Sequence, residues 1–173
     1  MLKALLSIFN VVRIGKTNGK RQNDADSSGN RKMARMYIID GTDVAMTYGE
    51  GRIFSVRGIQ IALNKYADMN CEVYAIVPQK TMKKIFTDNH TLIHALQKSG
   101  KVFCAPGKNL PNGSITECNP QRFILDIAIQ YDAVILSNSD FERVSDEKTE
   151  WRQLIQHGRL QRYKFDGDNI ILL

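Results

Sequence analysis

The sequence predicts one α/β domain built on an open, doubly wound, mostly parallel β-sheet. From residue 36 onward, short continuous apolar runs alternate with segments whose apolar residues recur three and four positions apart. This alternation is typical of buried parallel strands covered by helices on both faces. The chain has 173 residues, of which 43% are apolar, so its size and composition suit a single domain with one sizeable core.

Two segments precede this pattern. Residues 1–14 predict a short amphipathic helix that packs on the domain or on a partner. A secretory signal fits poorly because no small-residue cleavage site follows the apolar stretch, and a mitochondrial presequence fits weakly. Residues 15–35 are polar, basic and rich in Gly, Ser and Asn, so they predict a flexible linker. The apolar positions at helical spacing in the first segment are Leu2, Leu5, Leu6, Phe9 and Val12.

The remaining domain, residues 36–173, contains the predicted strands and helices. Apolar runs predict strands at residues 36–39, 73–77, 102–105 and 133–136. Helical periodicity predicts helices at residues 56–69, 91–99, 121–131 and 147–156. Two short apolar runs flank the sequence D-G-D-N near residue 167, which predicts a closing β-hairpin.

Charge favours a polyanionic partner. The net charge is +6 and the isoelectric point is about 9.3, and clustered Lys and Arg release counterions when they bind phosphates. Solubility alone is the alternative explanation. No apolar run approaches the roughly 20 residues that span a bilayer, so we expect a soluble protein without a membrane partner.

Cysteine and histidine spacing gives no clear metal site. The three cysteines, Cys71, Cys104 and Cys118, lack C-x-x-C or Cys/His spacing, which predicts reduced, buried thiols and no structural zinc. His90 and His94 lie four apart near a predicted helix, a spacing that can bind metal. No third ligand is near them in the sequence, so surface or capping roles are favoured.

Acidic residues follow two of the predicted strands. Asp40 comes directly after Ile39, Asp43 lies three residues on, and Asp140 follows the run that ends at Leu136. Ligands of doubly wound sheets bind beyond the carboxyl ends of the strands, and converging carboxylates suit Mg²⁺ or Mn²⁺. These three aspartates are therefore candidate catalytic residues and metal ligands. The alternative is that Asp40 caps a turn and Asp140 caps the following segment.

Six motifs between residue 36 and about residue 165 resemble the Regnase family of NYN-domain endoribonucleases, without its zinc finger. They stand in the family's order and approximate spacing: Y-I-I-D-G-T-D-V-A-M-T-Y-G (37–49), F-S-V-R-G-I-Q-I-A (54–62), F-T-D-N-H-T-L (86–92), R-F-I (122–124), V-I-L-S-N (134–138) and E-K-T-E-W-R-Q-L-I (147–155). The resemblance implies a PIN-like (NYN) fold that cuts mRNA with Mg²⁺ or Mn²⁺, in RNA degradation or silencing. It implies a cytoplasmic location, in ribonucleoprotein granules, with the nucleus as an alternative.

The same resemblance implies an incomplete acidic set. Asp40 matches the family's first carboxylate, whereas Asp43 stands where the family usually has Asn. The family's Asp-Asp pair before R-F-I is Pro120-Gln121 here, and the Asp after S-N is Ser139, with Asp140 one residue later. We therefore expect attenuated cleavage from a reduced site of Asp40, Asp43 and Asp140. The alternative is an inactive subunit that binds RNA or an active paralogue.

Basic residues near the predicted strand ends are candidates for binding RNA. The resemblance points to loops that follow the strands, where side chains would position phosphates without reading bases. Each alone is better explained as a solvated surface charge, but together they flank the candidate site. The expected partners are RNA, specifically mRNA, and a second nuclease domain in a homodimer or heterodimer. The candidate RNA-binding residues are Lys80, Lys83, Lys84, Lys108 and Arg122.

Overall fold

The computed structural model describes residues 36–109, 115–117 and 119–173. The predicted amphipathic segment 1–14, the linker 15–35 and Cys118 lie outside the described residues, so those predictions stay predictions. In the part of the chain that the structure describes, no helix is both long and apolar enough to span a bilayer.

A five-stranded sheet forms the centre of the domain, with the strand order β3-β2-β1-β6-β7. Every neighbouring pair in it is parallel, so the predicted doubly wound, mostly parallel α/β fold is confirmed. Two antiparallel hairpins, β4–β5 and β8–β9, lie outside this sheet. The strands are β1 (Met36–Asp40), β2 (Glu72–Pro78), β3 (Val102–Ala105), β4 (Gly107–Asn109), β5 (Ile115–Glu117), β6 (Val134–Leu136), β7 (Leu160–Gln161), β8 (Tyr163–Asp166) and β9 (Asn169–Leu172).

Helices connect the parallel strands, as the apolar periodicity predicts. They are α1 (Gly41–Tyr48), α2 (Val56–Asp68), α3 (His90–Lys98), α4 (Pro120–Gln130), α5 (Glu142–Ser145) and α6 (Thr149–Gln156), with two 3₁₀ turns at Gln79–Met82 and Lys84–Phe86. The periodicity predicted α2, α3, α4 and α6 but neither α1 nor α5.

The core lies between the central strands and their helices. Ile38 and Ile39 of β1 are fully buried, because β1 has a strand on each side and helices cover the faces. On α2, Ile59 and Tyr66 belong to the same apolar cluster as Ile39. The Tyr66 ring stacks on Tyr37 with centroids 4.1 Å apart. Burial of this sheet places the carboxyl end of β1 at a rigid position.

The order of the strands reverses beside β1. The chain passes from β1 to β2 and β3 on one side, and then returns to β6 on the other side. Such a switch point leaves a crevice at the carboxyl ends of the two strands, where ligands of doubly wound folds bind. Asp40 is the last residue of β1, and Ser137 directly follows β6. The topology therefore brings these two residues together.

Candidate active site

Asp40 joins the ends of the two strands that border the crevice. Its carboxylate is 3% exposed. One oxygen, Oδ1, caps α1 by accepting a hydrogen bond from the Asp43 amide at 3.2 Å. The other, Oδ2, accepts one from the Ser137 hydroxyl at 3.1 Å. The predicted capping role is thus observed, and it also holds a carboxylate at the switch point.

The surroundings of Asp40 disfavour its negative charge. The pKa of Asp40 is raised to about 6. Burial is the largest cause, and the negative charge of Asp43 adds to it. Hydrogen bonds, including those from Asp43 and Ser137, lower the pKa and offset part of the rise. A cation beside these oxygens would stabilise the ionised form. Thr42 lies between the two aspartates in the sequence, and its buried hydroxyl has no hydrogen-bond partner among the described residues. The donor set therefore fits a divalent cation with oxygen ligands.

Asp43 lies in the first turn of α1, where the helix dipole favours a negative charge. Its Oδ2 accepts hydrogen bonds from the Asn138 amide at 2.8 Å and from the Tyr163 hydroxyl at 2.7 Å. The Tyr163 hydroxyl also lies 3.1 Å from Thr47 Oγ1. These contacts hold Asp43 against the segment that follows β6, where Ser137 also contacts Asp40.

Asp140 does not join this pair in the described structure. Its Oδ1 accepts a hydrogen bond from the Glu142 amide at 3.2 Å, because the chain turns through Phe141 in the left-handed region, with φ of 60°, just before α5. Among the described residues, no group of three His, Cys, Asp or Glu side chains is placed to hold a metal ion. The three-carboxylate cluster expected from the sequence is therefore not formed among the described residues, and Asp140 instead accepts a hydrogen bond from the first amide of α5.

Two residues that sequence analysis did not single out support the segment after β6. Arg162 Nη1 donates to the carbonyl oxygens of Ser137 at 3.2 Å and Ser139 at 2.8 Å. The Tyr163 amide donates to Asn138 Oδ1 at 3.2 Å. Neither contact has a signal in the sequence, since the C-terminal hairpin is brought to the site only by tertiary folding.

The start of α4 is where the resemblance implies missing acidic residues. Pro120 is the first residue of this helix, and Asn119 caps it by accepting from the Gln121 amide at 3.0 Å. Arg122, a predicted RNA-binding residue, donates to Glu147 through Nε at 2.8 Å and Nη2 at 2.6 Å. This hydrogen bonding lowers the pKa of Glu147. Arg122 is thus held in a two-point ion pair with Glu147.

The predicted RNA-binding lysines follow the carboxyl end of β2. Lys80 lies in the first 3₁₀ turn, Lys84 in the second, and Lys83 between them. All three are exposed. The side chain of Lys108 lies outside the described residues. Since β2 is the neighbour of β1 in the sheet, these positive charges stand at the same edge of the sheet as the aspartate pair.

Comparisons with known proteins identify the family of this chain. A family model described as the Zc3h12a-like Ribonuclease NYN domain matches residues 33–173. Endoribonuclease rege-1 of Caenorhabditis elegans is 31% identical over 140 residues, which cover 79% of this chain and 22% of that protein. The chain therefore spans about a fifth of the length of this curated relative.

Solved structures support the fold. Nuclear proteinaceous RNase P 2 (PRORP2) of Arabidopsis thaliana matches with a TM-score of 0.58 and 16% identity, over 80% of this chain and 29% of that chain. A second structure of the same protein gives a TM-score of 0.57 and 12% identity, over 99% of this chain and 36% of that chain. At these identities the likeness shows the fold alone. The family model and the curated relative show more: the chain belongs to the Zc3h12a-like ribonuclease NYN domain family, as its motifs indicate.

Proposed function

We propose that this domain binds RNA along the carboxyl edge of its sheet and cleaves it at an attenuated rate with Mg²⁺ or Mn²⁺ held by Asp40 and Asp43. The observation that carries the proposal is the buried Asp40 carboxylate beside Asp43 at the switch point of the sheet. The surroundings of Asp40 raise its pKa and so disfavour its charge, which a bound divalent cation would stabilise.

Two carboxylates are a small but usable ligand set. Mg²⁺ is commonly bound by one or two carboxylates together with water and substrate phosphates. When bound, the ion would activate a water molecule and stabilise the negative charge that develops on the phosphate. The protein itself fixes Asp40 through Ser137 and fixes Asp43 through Tyr163. Pro120, Gln121 and Ser139 contribute no carboxylate, which is why we expect attenuated cleavage.

Positive charge supports the binding of RNA at this edge. Lys80, Lys83 and Lys84 are exposed after β2, and phosphate contacts from such residues position a nucleic acid without selecting its sequence. Arg122 would contribute once RNA phosphates compete with Glu147 for its guanidinium. We propose mRNA as the RNA class because the motifs resemble Regnase domains, and a cytoplasmic site of action on the same ground.

A second candidate function is favoured by Asp140. Asp140 accepts a hydrogen bond from the first amide of α5 and joins no metal-binding group of described side chains. The domain therefore also suits an inactive subunit. Such a subunit would bind RNA or pair with an active nuclease domain, as a homodimer or heterodimer.

Cleavage of a labelled RNA separates the two candidates. The full chain is stripped of metal and incubated with an end-labelled stem-loop RNA in Mg²⁺, Mn²⁺ or EDTA. We expect slow, metal-dependent cleavage that Asp40→Asn abolishes, while Asp140→Asn leaves it unchanged. If Asp140→Asn stops cleavage as fully as Asp40→Asn, the two-carboxylate site is wrong. If the unmodified chain binds the RNA and cuts none at high protein concentration, the inactive subunit is supported instead.

A further inference from the structure

His90 and His94 meet a main-chain oxygen on one face of α3. Their Nε2 atoms are 3.1 Å apart. The carbonyl oxygen of Met82 lies 3.1 Å from Nε2 of His90 and 3.2 Å from Nε2 of His94. The three atoms therefore form a nearly equilateral triangle. Sequence spacing showed the two histidines but not the oxygen, since Met82 contributes its backbone rather than its side chain.

The size of this triangle fits one bound transition-metal ion. Zinc ligands lie about 2.0–2.1 Å from a tetrahedral ion, so two of its ligand atoms are separated by roughly 3.3 Å. The measured edges are within a few tenths of an ångström of that separation. The imidazole rings converge at their Nε2 atoms, because the ring centroids are farther apart, at 4.4 Å.

Hydrogen bonding alone leaves this triangle poorly satisfied. The carbonyl oxygen only accepts, and a neutral imidazole carries one proton on one of its two nitrogens. If both Nε2 atoms carry protons aimed at the oxygen, the two N–H groups crowd each other at 3.1 Å. If one does not, it can accept from the N–H of the other ring, but its lone pair then also faces those of the carbonyl oxygen. A cation about 1 Å above the plane of the three atoms would be bound by one lone pair from each, at the distances that zinc prefers.

We propose that His90, His94 and the carbonyl oxygen of Met82 bind a transition-metal ion, with Zn²⁺ as the preferred species. Imidazole ligands suit Zn²⁺, Cu²⁺ and Ni²⁺, and two histidines four apart on one helix face are a recurrent zinc-binding arrangement. His94 is exposed, so solvent reaches the site and water completes the coordination. This site shares no residue with the Asp40 and Asp43 pair.

Metal binding here would fix the segment that carries the lysines. Met82 ends the first 3₁₀ turn, Gln79–Met82, and the two histidines belong to α3. The ion therefore links the turn to the helix across the exposed positions Lys83 and Lys84. The consequence is a more rigid presentation of this basic segment, independent of any cation held by the aspartates.

Zinc binding to the metal-stripped full chain tests the proposal. Isothermal titration with Zn²⁺ should give one equivalent, and Co²⁺ should give the strong visible absorption of a tetrahedral site. His90→Gln and His94→Gln should each weaken binding tenfold or more. The matched control is His157→Gln, which changes the exposed histidine at the end of α6 and should leave binding unchanged.

Further variants keep the result distinct from the proposed nuclease function. Asp40→Asn combined with Asp43→Asn should retain the zinc equivalent, whether or not the domain cleaves RNA. Zinc should also protect His90 and His94, but not His157, from diethylpyrocarbonate modification. The proposal is overturned if the unmodified chain binds no more zinc than the double variant His90→Gln/His94→Gln. It is equally overturned if the aspartate variant loses the equivalent.

Discussion

At the scale of single residues, Asp40 should control how stability depends on pH in the metal-free domain. Burial raises its pKa from 3.8 to about 6, so the native state keeps a proton that the unfolded chain releases. The stabilisation is complete below the unfolded value and is lost as pH rises through about 6, a change of roughly 3 kcal/mol. Asp40→Asn keeps this position neutral and should be more stable than the unmodified chain at pH 7.5, but equally stable near pH 4.

Urea unfolding in EDTA at several pH values measures this difference. Asp166→Asn is the control, since it removes an exposed carboxylate. It should change the free energy of unfolding little at both ends of the pH range. An Asp40→Asn effect of the same size at every pH would show that packing, rather than charge, distinguishes the two side chains.

Tyr163 should stabilise the site through its hydroxyl. Tyr163→Phe leaves the buried ring in place but removes the hydrogen bond to Asp43 at 2.7 Å. We expect a loss of about 1.5–3 kcal/mol in the free energy of unfolding, as for other hydrogen bonds to charged groups. Tyr48→Phe is the control, because its hydroxyl also donates to a carboxylate, that of Asp168, but at the surface. Equal losses in the two variants would contradict a special role for Tyr163.

At the scale of secondary-structure elements, α1 must approach β2 closely for Asp40 to act as its cap. A Cβ atom on Gly41 would lie 2.5 Å from Val77 Cγ1 and 2.8 Å from the Ile76 oxygen. Gly41→Ala should therefore cost about 1–3 kcal/mol through overpacking, despite the higher helix propensity of Ala, and should reduce RNA cleavage. Gly51→Ala meets no atom within 4 Å, so it should lower stability only through its positive φ, without reducing cleavage.

The start of α4 should accept the acidic residues that the Regnase resemblance implies at these positions. Pro120→Asp and Gln121→Asp place carboxylates in the first turn, where the helix dipole stabilises them and Asn119 still caps the helix. With Ser139→Asp added, metal affinity and RNA cleavage should rise, cleavage by about tenfold or more, while RNA affinity changes little. Gln130→Asp, at the other end of α4, controls for added charge. A folded variant that binds RNA and metal yet gains no cleavage would contradict our placement of these positions.

At the scale of the whole molecule, the distribution of its net charge of +6 should decide how salt affects RNA binding. Changing Lys80, Lys83 and Lys84 to Gln should weaken binding and flatten its salt dependence, by roughly 0.7 in the logarithmic slope per lost phosphate contact. Changing Lys65, Lys98 and Lys101 to Gln removes the same charge near the amino ends of β2 and β3. If this control lowers the slope equally, the basic segment after β2 is not the RNA-binding surface.

The sequence predicted the buried elements of the fold better than the short ones. Continuous apolar runs gave β1, β2, β3 and β6, since strands buried on both faces need them. Helical periodicity did not predict α1, because this helix begins at a glycine and buries only Gly41, Val44 and Ala45. Neither β7, with two residues, nor α5, with four, is long enough to show a period.

The residues of the candidate site were also only partly apparent from the sequence. Asp40 and Asp43 were predicted as site residues because they follow a recognisable strand, and the topology then brings Ser137 to Asp40. The capping role of Asp140 depends on the left-handed conformation of Phe141, which its residue type does not indicate. The contact of Tyr163 with Asp43 spans 120 positions of the chain, so no local pattern reveals it.

That long separation has a consequence for the timing of the protein's synthesis. A ribosome adds about 5–20 residues per second, so roughly ten seconds pass between the making of Asp43 and the making of Tyr163. During this interval α1 has left the peptidyl-transferase centre without the hydroxyl that holds its carboxylate. The nascent chain therefore carries the Asp43 carboxylate without this hydrogen bond throughout the synthesis of the strands and helices that lie between the two residues.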